Sequence, residues 1–232
     1  MARSIFLGSL WLAFVLYAFL GAPPSQPETL ELITALSSGQ WDGINPLIIA
    51  LFNIMGIFPV MYGALLFLDG DRQKLPAWVF ATGSFFLGAF ALLPYLALRR
   101  DNPTFTGQKN WWLRWQDSRL LGLFCLVALL GLLIYGFSAG DWGDFGTRFW
   151  GDRFIHVMSL DFCLLALLFP TLIKDDLARR GLGEQNWLLW EIAFTPPLGA
   201  ALYLALRPPT LEAHENPAAP SQTLNTAEVS RP

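Results

Sequence analysis

Six windows of the chain are long, apolar and almost free of charge, and short polar turns separate them. They cover residues 4–21, 46–68, 78–98, 118–138, 154–173 and 187–206. About 20 apolar residues cross a hydrocarbon layer some 30 Å thick, so the pattern predicts six transmembrane helices. The expected fold is all-α, a polytopic helical membrane protein with one transmembrane domain over residues 1–209. From residue 210 to 232 the chain turns to Pro, Ala, Ser, Glu, Asn and Thr, which predicts a disordered tail. A secretory signal peptide competes for the first window. Arg3 is its only leading charge, and Leu20-Gly21-Ala22 before two prolines is a poor cleavage site, so a retained span is expected. Leu30, Leu32, Ile33 and Leu36 form a short helical pattern suited either to the membrane surface or to a loop helix.

Tryptophan supports these windows independently. All but one of the ten fall near a predicted span end or in a loop, as interface anchors do.

Charge then narrows the classes. Charged residues make up 14% of the chain, against about 25% in a soluble domain. The net charge of −3 comes with no basic face, which argues against nucleic acid as a partner. Cys125 and Cys163 lie in predicted spans without metal or redox spacing and are expected to be packing residues. No phosphate-binding loop, dinucleotide motif or nucleophile–base pair occurs, so no catalytic residue is assigned. Asp175-Asp176 has no second acidic motif, so no metal site is assigned either.

The chain also matches itself. Tyr95-Leu-Ala-Leu-Arg99 closes the third window and Tyr203-Leu-Ala-Leu-Arg207 the sixth, 108 residues later. The same offset sets Asn53 on Asp161. A unit of three spans must re-enter the membrane from the opposite side, so the matches predict two inverted three-helix repeats. With six spans the basic residues divide seven against eight between the two sides, which fixes no orientation.

Asp161 leads the candidate binding residues, because an ionisable group inside a span needs a partner, a cavity or a pathway. Asn53 is its mirror position. The inverted geometry brings both near the midplane, where Asp161 either forms a site or fixes packing. His156 is expected either to pair with Asp152 at i, i+4 or to ligate a haem or pigment. Glu191, just past Trp187, is a second intramembrane acid that can reach the headgroups. Arg179 and Arg180 read either as part of a solvated turn, with Asp176 and Arg180 paired, or as a contact for a lipid phosphate or a partner.

The stretches HVMSLDF, FPTLIKDDLARRG, GINPLIIALFNIMG and ALLPYLALRR resemble a family of multi-spanning membrane proteins of cyanobacteria and plastids. The resemblance covers most of the chain before the tail and carries no catalytic residue with it. It implies a thylakoid or cyanobacterial plasma membrane. The function expected is binding of a lipid, a pigment (chlorophyll or carotenoid) or a partner helix, in support of photosynthetic complexes and in contact with membrane lipids. The alternatives are a small secondary transporter using Asp161, and a membrane enzyme acting on an isoprenoid or carotenoid.

Overall fold

The computed structural model describes residues 2–183, 192 and 195–211, and these form helices with no strand among them. Helix α1 (Ala2–Leu16) runs into a π turn, Tyr17–Gly21. It is followed by α2 (Thr29–Ser38), α3 (Pro46–Asp69), α4 (Ala77–Leu87), α5 (Ala89–Leu98) and α6 (Trp111–Gln116). Then come α7 (Arg119–Ala139), α8 (Trp142–Gly151), α9 (Arg153–Leu168), α10 (Pro170–Arg179) and α11 (Leu198–Leu206). Four of these stretches are long and apolar enough to cross a membrane: Ala2–Gly21, Pro46–Asp69, Arg119–Ala139 and Arg153–Arg179. The start signals are local. The Asn45 side chain accepts the Leu47 N–H at the head of α3, Ser118 the Leu121 N–H of α7, and Asp152 the Phe154 N–H of α9.

The third window is not one long helix. Gly88, with φ 50° and ψ −129°, turns the chain back on itself, so α4 and α5 form a hairpin. Phe80 of α4 stacks near Tyr95 of α5, ring centres 5.4 Å apart. Ala77 packs on Gly70 at one end of the bundle, and Arg99, at the far end of the hairpin, meets Asp69 at that same end. At 1.5 Å per residue each arm reaches about 16 Å, roughly half the depth of a hydrocarbon layer.

This hairpin overturns the inverted arrangement. A unit of two crossings and one returning hairpin finishes on the side where it began, so a second copy runs in the same direction as the first. The contacts between α3 and α9–α10 advance together along both helices. Phe52 faces Phe154, Phe58 faces Phe162 and Tyr62 faces Phe169, with ring centres 6.5, 5.8 and 5.2 Å apart. The Tyr62 hydroxyl donates to the Leu165 carbonyl at 2.7 Å, just before the helix break at Pro170. These two helices are parallel and form the core, with Phe58, Tyr62, Leu65, Phe169, Leu172 and Ile173 fully buried.

The outer helices repeat the pattern. Helix α1 runs against α5, with Trp11 Nε1 donating to the Phe90 carbonyl at 3.0 Å. In the second unit α11 crosses α7 so closely that a Cβ on Gly122 would fall 2.2 Å from the Leu204 backbone. Pro196-Pro197 stands where the first unit has Gly88-Ala89. The first half of the sixth window, including Trp187 and Glu191, lies outside the described residues, as does the expected tail from 212 onward. Thr210, expected at the start of that tail, is instead buried, and its N–H donates to Asp117 at 2.9 Å.

The six-span and hairpin topologies are separable by labelling. In a chain with Cys125 and Cys163 replaced by serine, single cysteines at Arg72 and Gln108 should react from the same side of intact vesicles, and one at Thr147 from the other. Six crossings would set Arg72 and Gln108 on opposite sides.

Candidate functional site

Asp161 closes the hairpin. Its Oδ1 accepts the Ala89 N–H at 2.7 Å, and Ala89 is the first residue of α5. The first N–H groups of a helix lack partners within it, and the helix dipole makes that end positive. Gly88, at the cap position, has no side chain to help, so a carboxylate from α9 caps α5 across the helix interface. The fit is tight: a Cβ on Gly88 would lie 1.8 Å from Asp161 Oδ2. Asn53 is not joined to it. Its Nδ2 donates to the Ile49 carbonyl of its own helix at 2.8 Å. The second unit has Pro197 at the position of Ala89, and proline offers no N–H to cap, which matches a neutral Asn53 in place of an aspartate.

His156 does not make the pair with Asp152 expected of it. Its ring does not bond the Asp152 side chain. Nδ1 lies 2.8 Å from the Phe149 carbonyl and Nε2 lies 2.8 Å from the Tyr17 hydroxyl. A carbonyl only accepts, so Nδ1 carries a proton. Phe149, Trp150 and Tyr17 enclose the ring, with centres 4.4, 5.9 and 5.7 Å away. With both nitrogens engaged, an axial metal bond would have to displace Tyr17. The residue ties the end of α1 to the start of α9.

The densest chemistry is a buried charge network at the end to which the hairpin returns. In the first unit the Tyr95 hydroxyl and Arg99 Nε both donate to Asp69 Oδ2, at 2.6 and 2.8 Å. In the second, the Tyr203 hydroxyl and Arg207 Nη1 both donate to Asp176 Oδ2, at 2.6 and 3.2 Å. Each unit thus carries one Tyr–Asp–Arg triad. Arg179 lies between the two, its Nη1 3.4 Å from Asp69 and its Nη2 3.6 Å from Asp176. Arg99 also bonds Asp175, and Arg179 Nη1 donates to the Asn102 carbonyl at 2.7 Å.

Arg180 extends the network outward. Its Nε pairs with Asp176 and its Nη1 with Asp117, both at 2.8 Å. The i, i+4 pair with Asp176 is present, but the turn is not solvated. Arg179 is 0% and Arg180 4% exposed, so neither is open to a lipid phosphate. Apolar packing removes the water that an isolated turn would have, and the carboxylates of Asp69 and Asp117 with the carbonyls of Asn102 and Pro208 replace it. Asp117 is held by Lys109, Arg180 and Thr210. Burial alone would push its carboxyl up. Arg180, Lys109 and Arg207, with the Thr210 N–H, outweigh that and hold it below the ordinary carboxylate range.

Sequence reasoning passed over Asp69, Arg99, Asp117, Tyr95 and Tyr203 as site residues. The signal was available: the Tyr-Leu-Ala-Leu-Arg repeat at offset 108 has an aspartate partner at offset 107, Asp69 and Asp176. Among the described residues no group of His, Cys, Asp and Glu is arranged to hold a metal ion. The comparisons with known proteins return nothing: no family model, curated protein or solved structure matches the chain.

Arg179→Ala should cost about 3–5 kcal/mol, because it leaves buried carboxylates short of their partner. Tyr95→Phe and Tyr203→Phe should each cost about 1–3 kcal/mol and resemble one another. Thermal unfolding in mild detergent measures all three. Gly88→Ala should be severely destabilising, and Asp161→Ala should relieve part of that loss, so that the double variant is markedly non-additive. The Asp117 carboxyl is depressed in the folded chain, so its stabilisation is present above the unfolded value of about 4 and lost as pH falls through the folded one. The gap in melting temperature between the parent chain and Asp117→Asn should therefore close in acid below about pH 4.

Proposed function

We propose that this chain is an integral membrane protein of four crossings and a returning hairpin that acts by binding rather than by catalysis. The observation that carries this reading is the use to which its ionisable side chains are put. Among the described residues, Asp69, Asp117, Asp175 and Asp176 are all paired internally with arginine or lysine, and Asp161 and His156 each hold one helix to another. No carboxylate or imidazole in this set is left aimed into a cleft as an acid or base. What the protein presents outward is apolar: Phe6, Phe19, Leu20, Phe86, Phe124 and Phe137 are all more than half exposed. Such faces suit lipid, pigment or a partner helix.

The hairpin gives an orientation that six spans could not. Of the fourteen lysines and arginines in the described residues, twelve sit at the end holding the charge network; Arg148 and Arg153 alone sit at the other. Under the positive-inside rule the network end faces the cytoplasm or its equivalent. Interface tryptophans fit both levels, with Trp78, Trp111, Trp112 and Trp115 at the network end and Trp41, Trp142 and Trp150 at the other. The resemblance to cyanobacterial and plastid membrane proteins supports a photosynthetic membrane as the setting and its complexes as partners.

A small transporter is the second reading, favoured by a broken helix with a carboxylate at its apex. Against it, the positive end of α5 already receives that carboxylate, so the seat an anionic substrate would take is filled by the protein itself.

One purification tests both. Gentle extraction followed by an absorption spectrum and mass spectrometry should find a pigment, lipid or protein retained in near-stoichiometric amount, and retained equally by Asp161→Asn. A bare chain, or solute flux in proteoliposomes abolished by Asp161→Asn, would sink the binding reading.

A further inference from the structure

At the network end the chain forms a cleft of about 440 Å³ between α6 and the start of α7, lined by Lys109, Arg114, Asp117, Ser118, Arg119 and Pro209. Its cations are not equivalent. Lys109 Nζ is buried against Asp117 and the Thr210 carbonyl. Arg114 and Arg119 are exposed, and each donates only its Nε, to the carbonyls of Lys109 and Arg207 at 3.2 and 3.0 Å. Their outer guanidinium nitrogens meet no carboxylate among the described residues. Asp117, the one acid in the lining, is already engaged by Arg180, Lys109 and Thr210, so the cleft keeps a positive excess.

The surface beside the cleft is apolar and has helical spacing. Leu120, Leu123, Phe124, Val127 and Ile134 follow one face of α7 away from Arg119, and all are 49–70% exposed. Trp111 and Trp115 of α6 are exposed next to the cleft at headgroup level. A cationic cleft at one end of an unpartnered apolar stripe has the shape of one class of molecule.

We propose that this cleft and stripe bind an anionic glycerolipid, its acidic headgroup between Arg114 and Arg119 and an acyl chain along α7. Arginine suits the headgroup because its planar fork donates two parallel N–H bonds to a phosphate or sulfonate. The positive end of the α7 dipole lies on the same side. The site rests on the membrane-protein reading above and names one ligand class within it.

The full chain, delipidated in mild detergent, is mixed with phosphatidylglycerol or with phosphatidylcholine of the same acyl chains, and native mass spectrometry counts the lipid bound. Phosphatidylglycerol should bind and phosphatidylcholine should not. Arg114→Gln with Arg119→Gln should weaken phosphatidylglycerol about tenfold to thirtyfold. Arg72→Gln with Lys74→Gln, at the same end but off the cleft, should leave it unchanged. Both pairs are on the surface, and a matching melting temperature without lipid shows that each variant is folded. Equal binding by parent and cleft variant overturns the proposal, as does equal binding of the two lipids. Displacement of phosphatidylglycerol by millimolar inorganic phosphate also overturns it and reassigns the cleft to a free anion. Release of the chain from membranes by alkaline carbonate sinks the membrane reading itself, whereas a retained chain indifferent to phosphatidylglycerol sinks this site alone.

Discussion

Arg179 is the joint on which the architecture turns. Its guanidinium, fully buried, reaches Asp69 of the first unit on one side and Asp176 of the second on the other. Each aspartate is in turn gripped by a tyrosine and an arginine at the end of a helix of its own unit, α5 or α11. Such a network contributes little net stability over a well-packed apolar core, since desolvating the charges offsets most of their attraction. What it supplies is register. An uncompensated charge in this interior is so unfavourable that α3, α10, α5 and α11 are held to the one alignment in which every carboxylate meets its partners.

The hairpin at Gly88 decides everything about direction. Two crossings plus an excursion that returns make an even unit, and an even unit repeats without turning over. That single backbone reversal is why Asp69 and Asp176 share an end of the bundle and can share Arg179 at all. Asp161 fixes the reversal by capping α5 from a neighbouring helix, so this buried carboxylate is best understood as a fastening. His156 does the corresponding work at the opposite end, where Tyr17 and the Phe149 carbonyl clamp its ring.

Four apolar windows and their approximate boundaries were legible in the sequence, as was the repeated Tyr-Leu-Ala-Leu-Arg. The hairpin was not. A run of 21 apolar residues with glycines at 83 and 88 reads the same whether it crosses or folds back, because composition reports solvent and not path. The seven-to-eight balance of basic residues depends on the number of crossings, and in the proposed topology of four it becomes twelve against two among the described residues. The burial of Arg179 and Arg180 was hidden for a related reason. Their partners come from residues 69, 102 and 117, far away in sequence, and local spacing shows only Asp176.

Because α5 ends on the face where α7 begins, the segment between them stays at the network end, where Asn102, Lys109 and Asp117 join the charge network. Residues 100–118 merely travel along a single side from Arg99 to the head of α7, never threading through the bundle. Geometry of this kind is equally open to two separate half-length polypeptides meeting about a twofold axis normal to the bilayer, with Arg179 then supplied by one subunit to its mate. The tips of the two units are unlike, Gly88-Ala89 with Asp161 against Pro196-Pro197 with Asn53, differences open to a single chain and closed to two identical halves.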